Sequence, residues 1–227
     1  MPKVVNHAKR RDDIASAACR AIAKYGLDDV TLVQIAKESG RTTGMLAHYF
    51  PSKWDVIIAA LELMHVRIER RLSLRLNSQA GDMADLLRDV LPLDEERRAE
   101  SAAWLTFWGA ALKRPDLLDM SNQTHLDWRA LIRRCLLVST PAASYWQEAV
   151  MTHVVSSIVV FMDGLYVKAL TRASVYPENV QIELLTTHIC CLLGWANERS
   201  SQSAHPEDTP LPVSAPEITI RKRDSAR

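Results

Sequence analysis

An all-α chain is what the sequence predicts, on three observations. Glycine is sparse, at 7 of 227 residues, and long runs are rich in Ala, Leu, Glu and Arg, which favour helices. Apolar residues recur at three- and four-residue spacing along most of the chain. Near the N-terminus, Thr31–Phe50 reads as two short helices with almost no turn between them. A hydrophobic content of 48% supplies a sizeable core, and the length accommodates one large or two small domains.

Residues 1–7 form a short arm. Lys9–Tyr25 is the first helix, with Ile14, Ala18, Ile22 and Tyr25 on one face, and Gly26 ends it. Lys9, Arg10 and Arg11 at its start suit either phosphate contacts or a solvated helix end. Thr31 and Gln34 make the capping-box pattern, which satisfies N–H groups at a helix start, and Leu32, Ile35 and Ala36 supply the apolar stripe. Gly40 can take the positive φ of a helix stop, and Thr42 caps the next helix at once. There Leu46 and Phe50 fall i, i+4 on the inner face. Thr43, Ala47 and His48 point away from them, with Met45 and Tyr49 flanking. A tight Gly turn followed by a helix with small, polar and aromatic groups outward is the shape that enters a major groove.

Ser52, after Pro51, starts a long helix to about Asn77, apolar along Trp54, Ile57, Ile58, Leu61, Met64 and Ile68. Glu62 and His65 on it are one i, i+3 carboxylate–histidine pair. A di-iron bundle needs two such motifs and two further glutamates, so no metal site is expected. Asp82 begins a short helix to about Leu91, stopped by Pro92. Asp94 caps a helix through Leu112, with Ala103, Phe107 and Ala110 on one side and Trp104, Trp108 and Leu112 on another. Pro115 opens a helix to about Val138 that carries His125 and Trp128. A long helix is expected from Ala142 to about Leu170, and Pro177 opens the last.

These last two helices are apolar around much of their circumference. That suits pairing with the same two helices of a second chain in a four-helix bundle, Ser157 and Gly164 permitting close approach. It equally suits burial within one chain. From about Arg199 the composition turns to Ser, Pro, His and charge, and a disordered tail is expected over 199–227.

The net charge of +1 announces no nucleic acid, but residues 1–55 hold nine basic groups against six acids, a modestly basic unit on a neutral body. No nucleophile elbow, phosphate loop or zinc motif occurs, so no catalytic residue and no cofactor is expected. Cys19, Cys135, Cys190 and Cys191 fit neither a zinc site nor a disulfide framework. They read as small buried hydrophobes, with a thiol switch as the alternative. No signal peptide is recognisable, and the apolar run at Val154–Met162 is too short to span a bilayer; a cytoplasmic protein without membrane contact is expected.

The spacing Thr31-x3-Ile35-Ala36-x3-Gly40-x-Thr42-x-Gly44-x-Leu46-x2-Tyr49-Phe50-x2-Lys53 resembles the TetR/AcrR family of transcriptional regulators. Arg41 and Ala47 depart from the usual small apolar residue and the frequent Tyr. The resemblance implies a DNA-binding domain at 8–55, with its helix-turn-helix motif at 31–50, and a ligand-binding and dimerisation domain at 56–198. It implies a homodimer, paired through the last two long helices, that reads a palindromic double-stranded operator and releases it on binding a small-molecule effector. Thr43, His48 and Met45 would reach base edges beside Gly44. Thr31, Thr42, Tyr49 and Lys53 would hold phosphates, and Arg41 would either add such a contact or loosen the turn.

Ala103–Ala110, Arg114–Leu117 and Met162–Tyr166 resemble the C-terminal domain of BetI-type regulators, repressors of choline-to-betaine synthesis. That implies choline or another quaternary ammonium, which aromatic faces recognise, Trp best. Trp104, Phe107, Trp108, Trp128 and Tyr166 are the candidate walls, and Asp163 the counter-charge. Core filling is the other reading of these aromatics. An unrelated effector, or a helical interaction protein that no longer binds DNA, are the alternative functions.

Overall fold

The computed structural model describes residues 7–77 and 81–202, and among these the only regular elements are helices. Helix α1 spans His7–Tyr25, α2 Leu32–Glu38, α3 Thr43–Tyr49 and α4 Lys53–Asn77. They are followed by α5 (Met83–Arg88), α6 (Glu95–Ala111), α7 (Pro115–Ser139), α8 (Glu148–Thr171) and α9 (Glu178–Gln202).

Local chemistry sets the boundaries of the first helices. Gly26, at φ 82°, closes α1, and Leu27 and Val30 anchor the connection in the core. Thr31 Oγ1 accepts the Gln34 N–H at 3.3 Å while Gln34 Oε1 accepts the Thr31 N–H at 2.7 Å, so the capping box is complete. Gly40 turns the chain at φ 65°, a conformation open to glycine without a Cβ penalty. The Thr42 hydroxyl then accepts the Met45 N–H at 3.3 Å. Replacing Thr31 by Ala should lower the unfolding free energy by about 1 kcal/mol, read as a drop in urea midpoint at constant slope.

Two cores hold the helices. The first gathers Ile14 and Ile22 of α1, Ile35 of α2, Leu46 of α3, Phe50 and the stretch Val56–Met64 of α4. It is completed from far along the chain by Ala103, Phe107 and Ala110 of α6 and Leu117 of α7. The second gathers Leu72, α5, the C-terminal half of α7, α8 and α9. Helix α4 therefore belongs to both through its two halves, whereas α6 belongs to the first and also touches α8.

Three expectations need correction. The helix expected from Ala142 begins only at Glu148, because Pro141–Tyr145 is a 3-10 turn and Trp146 is extended. Trp146 is buried and its Nε1–H donates to Asn197 Oδ1 of α9 at 3.0 Å, which pins the backbone where a helix would carry it away. Helix α9 runs through Gln202, so residues 199–202 are helical; the remainder of the expected tail lies outside the described residues. Only Cys19 and Cys135 are buried, whereas Cys190 and Cys191 are exposed on the outer side of α9. Burial pushes the Cys19 thiol up to about 12 and the Cys135 thiol up to about 11, so both are inert at neutral pH.

By length and composition α8 is apolar enough to cross a membrane, well beyond the run at Val154–Met162, yet 44% of its most apolar window is core. Its outward stripe includes His153, Val160 and Gly164, exposed in the single chain, and Val160 is 70% exposed.

Candidate functional site

Helix α3 presents an open face. Leu46 and Phe50 are buried, while Thr42, Thr43, Gly44, Met45, Ala47 and His48 are exposed. Tyr49 is half-buried, and its ring meets those of His7 and His48 at 5.4 and 5.2 Å between centroids. Helix α1 grips the far end of α3: the Arg11 guanidinium donates to the Tyr49 carbonyl at 2.7 Å and lies 4.3 Å above the Phe50 ring.

Arg41 is held by Asp13 of α1 at 3.3 Å with its side chain only 19% exposed, so in the free chain it braces the turn. The Lys53 ammonium donates to the Asp28 carbonyl at 2.7 Å. The Thr31 hydroxyl is committed to Gln34. Neither His7 nor Arg11 stood out in the sequence as a partner of α3, because nothing local marks a contact made across 38 residues.

The second feature is a cavity of about 380 Å³, open on one side and lined by α4, α6, α7 and α8. Trp104 and Trp108 of α6, Trp128 of α7 and Tyr166 of α8 provide aromatic wall, with the Trp104 and Trp108 rings 6.4 Å apart. Asp163 lines it too. No hydrogen bond or ion pair holds its carboxylate among the described residues, and burial pushes it up to about 6. Burial also raises the Tyr166 phenol, aided by the neighbouring Asp163 charge, so it stays protonated. Glu100, Arg71 and Arg97 supply further charge, and α7 adds Ser121, Asn122, Thr124 and His125.

Five of the six residues that the sequence suggested for a ligand thus face one space. Phe107 does not: it is fully buried in the first core, edge-on to Trp104 at 5.6 Å, and its candidacy is withdrawn. It stands three residues from Trp104, but α6 turns it toward α1 and α4. Glu100, Arg71 and Arg97 were missed because charged residues on a helix ordinarily face water; a carboxylate flanked by apolar positions, as in Glu100-Ser-Ala-Ala-Trp104, was the available signal. His65 also lines the cavity, while its presumed partner Glu62 points to solvent. Among the described residues no cluster of three metal-ligating side chains occurs.

An exposed helix-turn-helix on an all-helical body with an internal cavity defines a DNA-binding transcriptional regulator. Residues 14–60 match the family model described as bacterial regulatory proteins, tetR family, and residues 80–194 match that of the BetI-type transcriptional repressor, C-terminal. The chain belongs to the TetR family of transcriptional repressors, with a C-terminal domain of BetI type; these are regulators, not enzymes.

Among its relatives is the HTH-type transcriptional regulator PksA of Bacillus subtilis, 30% identical over 54% of this chain and 61% of that protein. The regulator BetI of Serratia proteamaculans is 23% identical over 83% of this chain and 95% of its own length. A transcriptional regulator from Rhodococcus sp. Rha1 superposes with a TM-score of 0.63 at 26% identity, covering 82% of this chain and 97% of that one. A regulator from Saccharomonospora viridis, solved in complex with choline, has the same fold, with a TM-score of 0.67 at 22% identity over 80% of this chain and 96% of its own.

Proposed function

We propose that the chain works as a cytoplasmic homodimer that represses transcription from a palindromic operator and is released when a cation fills the cavity. The unpaired Asp163 carboxylate among Trp and Tyr rings carries this reading. A buried charge without a partner is costly, and a cation is what would complete it. A quaternary ammonium donates no hydrogen bonds, so aromatic faces and a carboxylate suit it. Choline and betaine aldehyde are therefore the first effectors to test, in keeping with the BetI-named relatives and the choline complex of the S. viridis regulator. The cavity has the volume of about a dozen waters. That exceeds what a trimethylammonium group fills, and it favours a larger cation as the second reading.

On DNA, Thr43, Met45 and His48, beside Gly44, would read base edges. Thr42, Tyr49 and Lys53 would hold phosphates, with Thr31 offering the α2 N-terminus and Arg41 leaving Asp13 only if a phosphate draws it. Dimerisation through α8 and α9 would bring two such units to successive major grooves about 34 Å apart. The test is fluorescence anisotropy on the DNA upstream of the chain's own gene, with choline, betaine aldehyde and larger ammonium compounds added. Tight binding reversed by one of them supports the reading; DNA binding indifferent to all of them removes the cation.

Lys53→Ala should weaken binding to all sequences alike and flatten the salt dependence by roughly one unit of slope. His48→Ala should instead change which operator bases matter. An unchanged slope in the first variant would take Lys53 off the DNA.

A further inference from the structure

Glu100 is 3% exposed, yet it borders two spaces. One is the aromatic cavity; the other is a hollow between α1, α4 and α6 that also touches Ser16, Arg67 and Glu38. Two guanidinium groups of α4 share its carboxylate. Arg71 donates to Oε2 at 2.7 Å, and Arg67 donates to Oε1 at 3.4 Å. Arg67 also donates to Glu96 at 2.7 Å and, through its other nitrogen, to the Ser16 hydroxyl of α1 at 3.1 Å. A continuous line of polar contacts thus runs from the cavity wall to α1.

Helix α1 in turn holds the recognition helix, through Arg11 on the Tyr49 carbonyl and Asp13 on Arg41. It also reaches α2, where Arg20 donates to the Glu38 carbonyl at 3.3 Å. A displacement of α1 therefore carries α2 and α3 with it.

We propose that Glu100 couples the cavity to the DNA-binding unit: a cation in the cavity draws its carboxylate from Arg67, the Arg67–Ser16 bond is lost, and α1 moves with the recognition helix. This rests on the cation reading of the cavity and adds the route by which the cation acts. With Glu96 also on Arg67, two carboxylates and two guanidinium groups balance one another as they stand. A third positive charge beside Glu100 repels both guanidinium groups and offers its carboxylate a new partner. Arg67 is the one to leave. Its contact with Glu100 is the longer, and Glu96, 64% exposed in its side chain, already holds it from the solvent side. Arg71 stays at 2.7 Å from Glu100 on the cavity side.

Coupling between two sites is reciprocal, so the operator must weaken cation binding by the factor by which the cation weakens operator binding. The experiment measures both, with choline and tetramethylammonium as probes, by calorimetry without operator and by anisotropy on the DNA complex. Wild type should show a coupling of roughly 5- to 150-fold. Ser16→Ala, half-exposed and outside the cavity, should bind choline without DNA within about twofold of wild type while the coupling falls below about threefold. Glu100→Gln keeps shape, removes the charge and should lose the coupling as well. The double variant should lose no more than either single one, as for residues acting through one link.

Melting temperatures accompany each variant, and should Glu100→Gln fail to fold, Ser16→Ala decides alone. Full coupling in Ser16→Ala overturns the relay and leaves the cavity reading standing. A wild type that binds neither probe overturns the cavity reading and the relay with it.

Discussion

Val160→Asp is expected to leave the fold of the single chain intact and to weaken operator binding by roughly two to four orders of magnitude. Val160 is 70% exposed on α8, so the substitution removes no core contact and its cost to the monomer is small. Its neighbours on the stripe are Gly164, where an added Cβ would meet nothing within 4 Å, and the half-buried Ser157. Leu184 and Cys191 are exposed on α9.

An apolar helix with this much surface uncovered calls for a partner, and two α8–α9 pairs about a two-fold axis would bury it. A carboxylate on each side of such an interface meets its own image, and like charges desolvated together oppose association. A monomer grips one half-site and forfeits the second, which binds at a high effective concentration once the first is held. Sedimentation should show the dimer replaced by monomer, circular dichroism an unchanged melt, and anisotropy the lost affinity. A Val160→Asp protein that still sediments as a dimer and holds the operator would move the interface elsewhere.

The recognition unit was readable in the sequence because its signals are local. A capping box spans four residues, a helix stop needs one glycine, and Leu46 and Phe50 declare the inner face of α3 by spacing alone. The cavity was half readable. Trp104, Trp108, Trp128, Asp163 and Tyr166 share it, but periodicity cannot tell which of two faces of α6 turns to the cavity and which to the first core. Phe107 fell on the wrong side for that reason.

The partners of Glu100 were not readable, even where the apolar setting of Glu100 itself was. Arg67 lies 51 residues from Ser16, and only the packing of α4 and α6 against α1 brings the three together. The start of α8 was misplaced for the same kind of reason, since the Trp146–Asn197 hydrogen bond joins residues 51 apart and leaves no trace beside Pro141.

Asp163→Asn should strengthen the fold and disable the effector response, two effects that core filling does not produce together. In the folded chain the Asp163 carboxyl is raised by burial from 3.8 to about 6. The raised value means that folding favours the neutral form. The contribution of Asp163 to stability is greatest below 3.8 and is lost as pH rises through about 6. At pH 7 the bare carboxylate therefore opposes folding, by roughly 3 kcal/mol at most and by about 1–2 kcal/mol once water at the open side of the cavity is allowed for.

Asparagine keeps the shape and removes the charge, so at pH 7 its melting temperature should exceed that of wild type. At pH 4, where the wild-type carboxyl is already mostly neutral, the advantage should vanish. A cation binds the charged form and pulls the carboxyl back down. Wild-type affinity for choline should accordingly fall as pH drops below about 6, while the variant should bind roughly 10- to 100-fold more weakly and without that pH dependence. Trp108→Ala makes the contrast. It removes a cation–π face worth about 0.5–2 kcal/mol but also packing against the first core, so binding and stability fall together. A destabilised Asp163→Asn, or one that answers choline as wild type does, would mean that the cavity takes no cation at this carboxylate.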